Sequence, residues 1–309
     1  MSSARSVLAL DVGGTGLKGA VIDGSGAVLR QLERPTPTAA GAYAVVAAVR
    51  ELARELTGPD VAAAGAVVPG SVDVSAGVAR YSANLGWRDV PLRDLLGADL
   101  AVPVTLEHDV RAAGLAEIAL GRARGLNDCL IMIIGTGIAG VIRSGGNMLR
   151  GGADLAGEIG HIPVYPDGEV CACGQRGCLE TYASAAAIGR RYRARSGRQS
   201  DARGVVAARE TDRDARVVWD EAARALGIAL ATYTMLLDPG AVVLGGGLAE
   251  SGDALLEPVR DELTRRLVWR PVPALHGSPL GPRAGQLGAA LLAWQSIGHT
   301  DFEAWCPVG

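Results

Sequence analysis

The segment from residue 157 to residue 180 is dense in side chains that bind metals and sugars. Its candidates are the carboxylates Glu158 and Glu180, the imidazole of His161, and the thiols of Cys171, Cys173 and Cys178. One histidine and three cysteines make a complete tetrahedral zinc set. A closed zinc site does no chemistry itself, but it can hold a loop so that neighbouring carboxylates face one ligand. The segment therefore predicts a substrate pocket stabilised by zinc.

Two other interpretations of these cysteines are ordinary buried thiols and a disulfide pair. Nothing marks the chain as secreted, which disfavours a disulfide. Three of the five cysteines lie close together, beside Gly174 and Gly177, which permit a tight loop. We therefore favour zinc. The remaining cysteines, Cys129 and Cys306, are distant in sequence, and we predict that both are unpaired thiols.

Three glycine-rich turns, each directly after an apolar run, form a second candidate site. They comprise Asp11 with Gly13, Gly14, Thr15, Gly16 and Lys18, then Gly135, Thr136 and Gly137, and finally Gly245, Gly246 and Gly247. Glycine lets backbone N–H groups approach an anion closely, and the Asp11 carboxylate can hold magnesium through water. One such turn alone is more often a plain hairpin, but three predict a nucleotide bound from several sides. None matches the phosphate-loop or dinucleotide signature.

Asp109 is the candidate general base. It follows an apolar run and precedes a helical pattern over residues 112–120, a position from which a carboxylate can accept a proton from a substrate hydroxyl. The spacing is equally compatible with Asp109 capping that helix. Asn84 lies in a predicted loop, where asparagine more often serves the turn than a ligand.

The elements that must position these residues alternate between strands and helices. An apolar strand, a glycine turn and a return strand occur over residues 7–23 and again over residues 130–142, although the second copy lacks an equivalent of Asp11. This repetition predicts a duplicated architecture with a cleft between the halves. Helices are predicted over 217–237 and 286–294, and 190–213 as an exposed helix end and loop. The class is α/β with mixed sheets.

Length and composition restrict the class of protein. A chain of 309 residues suggests about two domains. Its hydrophobic content of 49% and charged content of 20% are typical of a soluble globular protein. The net charge of −3 gives no signal for nucleic acid. The first strand follows the N-terminus without a signal peptide, and no apolar run can span a bilayer, so we expect a cytoplasmic protein without membrane or nucleic-acid partners.

Together these residues resemble the ROK family, which comprises bacterial sugar kinases, open-reading-frame products and transcriptional repressors. The resemblance covers nearly the whole chain and rests most on the Glu158-x-x-His161 pair combined with the Cys-x-Cys-Gly-x-x-Gly-Cys-x-Glu signature that ends at Glu180. It implies an actin-like, ribonuclease-H-like ATPase fold of two lobes with a catalytic cleft between them. The small lobe would comprise residues 1–116, completed by a C-terminal helix at about 285–309, and the large lobe residues 117–284.

The resemblance also implies roles for individual residues. Asp109 matches the general base, and His161 matches a zinc ligand that also holds the sugar. The residues that match contacts to sugar hydroxyls are Asn84, Glu158, His161 and Glu180. The chain departs from the family at His108, where asparagine is usual, and at Val110-Arg111, where Ala-Asn is usual. Fewer glycines follow the second turn, which ends at Gly137. We place His108 among the substrate-binding residues.

The resulting prediction is an ATP- and magnesium-dependent kinase for the 6-hydroxyl of a hexose, with structural zinc. The changed residue at His108 favours N-acetylglucosamine, with glucose as the alternative. A non-catalytic sugar sensor or a repressor is disfavoured, because a strand beginning at Val7 leaves no room for a DNA-binding domain and because Asp109 is present. The family resemblance favours a homodimer or a homotetramer.

Overall fold

The computed structural model describes residues 5–305, and the chain divides into two compact units. The first unit comprises the residues up to Gly121 together with those from Arg283 onward, and the second comprises Arg122–Pro282. Residues 1–4 and Cys306, the latter predicted to be a free thiol, lie outside the described residues. Within residues 5–305, no helix combines the length and the apolar composition that crossing a membrane requires.

A five-stranded mixed sheet forms the centre of the first unit. Its strands are β1 Ser6–Val12, β2 Gly16–Asp23, β3 Val28–Pro35, β4 Val61–Val68 and β8 Val104–His108. Their order is β3-β2-β1-β4-β8. The first three strands pair antiparallel, whereas β4 runs parallel to both β1 and β8. The predicted turn between β1 and β2 is therefore a hairpin at one end of this sheet.

The central strands β1 and β4 are almost wholly buried, because helices pack against the sheet. The helices of this unit are α1 Ala42–Leu56, α2 Leu92–Leu100, α3 Asp109–Leu120 and α9 Ala284–Ser296. Two glycines allow α9 to approach closely: a Cβ at Gly65 would lie 2.0 Å from the Ala289 carbonyl oxygen, and one at Gly288 would lie 2.0 Å from the Ala112 carbonyl oxygen. A small antiparallel sheet stands between β4 and α2, formed by β5 Ser71–Asp73, β6 Val78–Ser82 and β7 Trp87–Val90.

The second unit repeats the sheet of the first. Its strands are β9 Cys129–Ile134, β10 Ile138–Ser144, β11 Asn147–Met148, β12 Ala241–Gly245 and β13 Ala274–Gly277, in the order β11-β10-β9-β12-β13. Again the first three strands pair antiparallel, and β12 runs parallel to both neighbours. The predicted α/β class with mixed sheets is confirmed, and the same strand order occurs in each unit.

The helices of the second unit differ in part from the sequence prediction. They are α4 Glu180–Ala183, α5 Ala185–Ser196, α6 Ala202–Ala208, α7 Arg213–Leu237 and α8 Asp253–Arg266. Helix α7 begins four residues before the predicted start, because the Asp212 side chain accepts hydrogen bonds from the first-turn N–H groups of Asp214 and Ala215. The prediction of a helix end and loop over 190–213 was wrong in part, since α6 lies there with Asp201 as its N-cap.

Candidate functional site

The structure brings together the four predicted zinc ligands. The ligand atoms of His161, Cys171, Cys173 and Cys178 all lie within 4.8 Å of one another. The Cys171 Sγ is 3.9 Å from His161 Nδ1, and the Cys173 Sγ is 3.7 Å from the Cys178 Sγ. Cys171 and Cys178 are buried, whereas Cys173 is exposed. One imidazole and three thiols at these separations form a donor set suited to tetrahedral zinc.

A tight loop with its own backbone hydrogen bonds holds the cysteines. The Cys171 N–H donates to the Gln175 carbonyl, and the Gly177 N–H donates to the Glu169 carbonyl, each at 2.8 Å. Gly177 has a φ of 70°, and a Cβ there would lie 1.6 Å from the Tyr165 carbonyl oxygen. Only glycine fits this position. These backbone hydrogen bonds therefore determine where the loop places the thiols.

The thiols of the cluster differ in their tendency to ionise. Burial opposes ionisation of Cys171, but hydrogen bonds from the Cys173 backbone and the Thr181 hydroxyl outweigh it and hold the pKa of Cys171 below its usual range. Burial and the neighbouring thiols raise the pKa of Cys178. The thiolate is the form that binds a metal, so Cys171 is prepared for zinc, and Cys178 would lose its proton when the ion binds.

Glu180 connects the cysteine segment to the second glycine turn. Its Oε2 accepts a hydrogen bond from the Ile138 N–H at 2.7 Å, and a Cβ at Gly137 would lie 2.5 Å from the same oxygen. The other oxygen, Oε1, has no hydrogen-bond partner within residues 5–305. Glu158 lies on the opposite side of His161, with its Oε2 3.9 Å from His161 Nε2. The two ring nitrogens of His161 therefore face different groups, Nδ1 towards Cys171 and Nε2 towards Glu158.

The second and third glycine turns lie side by side. Gly245 at the end of β12 pairs with Ile133 of β9, and a Cβ at Gly246 would lie 2.5 Å from the Ile134 carbonyl oxygen. A cavity of about 320 Å³ opens at these turns. It is lined by Thr136, Ala185, Ala186, Asp201, Ala202, Arg203, Gly247 and Leu248. Thr136 of the second turn and Gly247 of the third therefore line one ligand-sized space within the second unit.

Sequence reasoning missed the other walls of this cavity. Ala185 begins α5 directly after Ser184, whose side chain accepts from the Ala187 N–H at 3.1 Å. Asp201 caps α6 by accepting from the Gly204 N–H at 2.8 Å. The signal that was available is the pair of helix caps, each a short polar residue before an alanine-rich run. The arginines around them suggested a solvated loop instead.

The first glycine turn is a closed hairpin that Asn84 contacts. The Gly13 N–H donates to the Gly16 carbonyl at 2.8 Å, and the Thr36 hydroxyl donates to the Gly13 carbonyl at 2.6 Å. Asn84 lies between β6 and β7, and a Cβ at Gly14 would lie 3.2 Å from the Asn84 Cβ. The first unit thus places this exposed asparagine beside the turn.

Asp11 stands at the start of this hairpin. Burial and the nearby Asp109 carboxylate raise the pKa of Asp11 to about 6, although Lys18 opposes the change. Helix α9 comes close behind it, because a Cβ at Gly285 would lie 2.9 Å from Asp11 Oδ2. Two carboxylates that repel each other in this way favour a bound cation. Asp11, Lys18 and Asp109 are therefore neighbours, as a phosphate-transfer site needs.

Asp109 is the first residue of α3 rather than its N-cap. The N-cap is His108, whose side chain makes no capping hydrogen bond. Asp109 Oδ1 accepts from the Val110 N–H at 2.7 Å and lies 3.3 Å from His108 Nε2. The side chain of Asp109 is 32% exposed. Asp109 is therefore not the N-cap of α3, although its Oδ1 accepts from a first-turn N–H, and a partly exposed carboxylate remains at the end of β8.

A buried ion pair that the sequence did not reveal supports this region. Glu107 Oε1 accepts from the His108 N–H at 2.9 Å and lies 3.8 Å from Arg111 Nη1. Both side chains are nearly buried, with 6% and 10% exposed. Arg111 is one of the residues at which this chain departs from the family pattern; it lies in the first turn of α3, whereas Glu107 lies in β8.

Comparison with known proteins gives one consistent family. The ROK family model matches residues 7–296. A glucokinase of Streptomyces coelicolor is 34% identical over 308 residues, covering 93% of this chain and 96% of its own length. An N-acetylmannosamine kinase of Yersinia pestis is 33% identical over 297 residues, covering 94% and 99%. A ROK family glucokinase of Streptomyces griseus, solved with glucose and AMPPNP, superimposes with a TM-score of 0.83 at 33% identity, covering 94% of this chain and 99% of that one.

Proposed function

The chain belongs to the ROK family, and we propose that it is an ATP-dependent sugar kinase that phosphorylates the 6-hydroxyl of a hexose. The observation that carries this proposal is the carboxylate of Asp109, which is partly exposed at the end of β8 and close to Asp11 and the first glycine turn. Its Oδ2 has no hydrogen-bond partner within residues 5–305. A free carboxylate oxygen is the group that takes the proton of an attacking hydroxyl.

The phosphoryl donor is proposed to be ATP with magnesium. Asp11 would hold the ion through water, and Lys18 would add positive charge beside it. When bound, magnesium would neutralise charge on the transferred phosphoryl group. The backbone N–H groups of three turns would bind phosphates: Gly13, Gly14, Thr15 and Gly16; Gly135, Thr136 and Gly137; and Gly245, Gly246 and Gly247. The 320 Å³ cavity at Thr136 and Gly247 would take the nucleoside.

The sugar pocket is proposed to form around His161. Its Nδ1 faces Cys171 and would bind zinc, whereas its Nε2 faces Glu158 and would contact a sugar hydroxyl. Glu180 would accept hydroxyl hydrogen bonds through its unpartnered Oε1. Asn84 and Asp109 complete the proposed contacts, and the sugar contact predicted for His108 from the sequence is tested below against a different role. By fixing the orientation of the His161 imidazole, bound zinc would stabilise the sugar site. This role needs reduced thiols, which persist in the cytoplasm, and we propose that location.

We propose glucose as the sugar. Glucokinases at 33–34% identity, one of them solved with glucose, support this choice, and an N-acetylmannosamine kinase at 33% identity is the reason for testing other sugars beside it. The preference for N-acetylglucosamine predicted from the sequence depends on His108, whose imidazole lies beside Asp109. That contact gives no evident support for an acetamido pocket. N-acetylglucosamine therefore stays a prediction to be tested beside glucose.

A coupled ADP-release assay tests the proposal and separates it from the other class of function. Glucose, N-acetylglucosamine and N-acetylmannosamine are each supplied with ATP and magnesium, with Asp109→Asn as the control. We expect sugar-dependent ADP release that the control lacks. Sugar binding by calorimetry without ADP release from any sugar would instead support a non-catalytic sensor and would overturn the kinase proposal.

A second copy of the chain is the proposed protein partner. Three large apolar side chains, Leu236, Val268 and Trp269, are 75%, 84% and 70% exposed. Leu236 lies in the last turn of α7, and Val268 and Trp269 follow the end of α8. The segments that leave these two helices lead into β12 and β13, which begin side by side. A group of exposed apolar side chains indicates an interface. Light scattering should give a dimer or tetramer that Trp269→Glu weakens, and a monomeric parent protein would contradict this proposal.

A further inference from the structure

We propose that His108 is a positioning residue for the base, whose imidazole holds one oxygen of Asp109 so that the other faces the sugar hydroxyl. The inference rests on the proposed function, in which Asp109 takes the hydroxyl proton. In this role, His108 affects the rate of the chemical step and does not determine which sugar binds or how tightly it binds. This role differs from the sugar contact that the family resemblance implies for position 108.

Both anchors of the Asp109 carboxylate lie on the same oxygen. Oδ1 accepts from the Val110 N–H at 2.7 Å and lies 3.3 Å from His108 Nε2. The two contacts come from the residues on either side of Asp109, and two contacts fix the orientation of the carboxylate better than one. Oδ2, which lacks a hydrogen-bond partner within residues 5–305, then stays available for the hydroxyl proton.

The backbone that carries the imidazole is held in place. His108 ends β8 and pairs with Val68 of β4, and its backbone N–H donates to Glu107 Oε1 at 2.9 Å. Glu107 is fixed in turn by Arg111 at 3.8 Å. The His108 side chain is only 18% exposed. Because its backbone is fixed in the sheet and its side chain is mostly buried, His108 can restrict the movement of the Asp109 carboxylate.

The atom that makes the contact permits a selective test. Nε2 is the distal nitrogen of the imidazole, and the amide nitrogen of glutamine reaches a similar distance from the backbone. The amide nitrogen of asparagine reaches only as far as Nδ1. Glutamine at position 108 should therefore keep the contact with Asp109, and asparagine, the usual residue of the family, should lose it.

The expected kinetics follow from this difference. His108→Gln should keep kcat within about threefold of the parent enzyme, whereas His108→Asn and His108→Ala should lower kcat by about 10-fold to 100-fold, since small displacements of reacting groups have effects of this size. The KM values for sugar and ATP should change by less than about threefold in all variants. Equal melting temperatures and zinc contents would exclude misfolding as the cause.

The reverse pattern would overturn the inference. If His108→Asn keeps the parental kcat while His108→Gln loses it, or if the variants raise the sugar KM without lowering kcat, position 108 serves the sugar. In the Asp109→Asn background, His108→Ala should have no further effect, because its role passes through Asp109. An additive loss there would contradict a positioning role. If the parent shows no sugar-dependent turnover, the proposed function fails instead. In that case, crystal structures of the parent and His108→Ala still test the contact, and an unchanged Asp109 carboxylate would overturn it.

Discussion

The two sheets of the molecule have the same strand order, but they carry different side chains at equivalent positions. β1 and β9 occupy the same position in sheets of the same strand order, and each leads into a glycine turn. On β1 the residue that pairs with the end of β4 is Asp11, opposite Val67, whereas on β9 the residue that pairs with the end of β12 is Ile133, opposite Gly245. A carboxylate in one unit thus corresponds to an apolar side chain in the other.

The two units also supply their carboxylates in different ways. In the first unit, Asp11 and Asp109 stand at the ends of sheet strands. In the second unit, Glu158 and Glu180 belong to the segment inserted between β11 and α7, which also contains the cluster of His161, Cys171, Cys173 and Cys178. The difference indicates that a duplicated framework can place a charge either on a strand or on an insertion.

Removal of a zinc ligand should have the largest effect on stability, and the structural change should be confined to the second unit. Structural zinc contributes about 10–16 kcal/mol of apparent binding free energy. We expect Cys173→Ala to lose zinc and to lower the melting temperature strongly, and zinc per chain is measured by elemental analysis. Cys129→Ala, which alters a buried thiol outside the cluster, is the matched control and should keep its zinc. A Cys173→Ala protein with a full equivalent of zinc would contradict the proposed site.

Loss of the base should be the next largest effect and should leave the fold intact. Asp109→Asn should lower kcat by about 10²–10⁴-fold, since general bases contribute rate factors of this size. Sugar affinity, measured by calorimetry, should change little. Asp94→Asn in the same unit, where the side chain is 72% exposed, is the control and should be fully active. A kcat for Asp109→Asn near that of Asp94→Asn would remove Asp109 from the chemistry.

The burial of Asp11 should appear as a dependence of stability on pH. Its folded-state pKa of about 6 lies above the usual 3.8, so the folded state binds the proton more tightly and loses stability as pH rises through this window. The full loss is about 3 kcal/mol, reached above pH ~6. In magnesium-free buffer at pH 7.5, Asp11→Asn should therefore unfold at higher urea than the parent, and at pH 4 this difference should be much smaller. A constant difference at both pH values would indicate a different cause.

Loss of the charge on Glu180 should have the smallest effect, and it should change the KM for the sugar more than the KM for ATP. Glu180→Gln should raise the sugar KM by about 10-fold or more, because hydrogen bonds to a charged group contribute about 1.5–3 kcal/mol. The amide oxygen can still accept from the Ile138 N–H, so the turn should be preserved and the ATP KM should change less. The exposed Glu210→Gln provides the control. Equal increases in both KM values would place Glu180 outside the sugar site.

The sequence predicted best the features that neighbouring residues determine. The two hairpins follow from apolar runs interrupted by Gly13-Gly14 and Gly135, and the metal cluster follows from cysteines close to His161. Helix α6 was missed because it has only seven residues and depends on one cap, Asp201.

Contacts between distant side chains were beyond what the sequence pattern could give. The wall that Asp201 contributes to the cavity depends on how α6 packs beside the third glycine turn. The orientation of His108 towards Asp109 depends on the register of β8 with β4, and on the buried Glu107 that holds its backbone. Such rotamers are chosen by tertiary packing, which no periodicity of apolar residues encodes.

The central claim is that Asp109 directs a phosphoryl group from ATP to the 6-hydroxyl of a hexose. Phosphorus NMR of the protein incubated with ATP, magnesium and glucose tests this most directly, because it identifies the product as well as the loss of ATP. We predict equal amounts of ADP and a hexose 6-phosphate, with neither formed by Asp109→Asn. The appearance of inorganic phosphate alone, or unchanged ATP with glucose and with both N-acetylhexosamines, would contradict the claim.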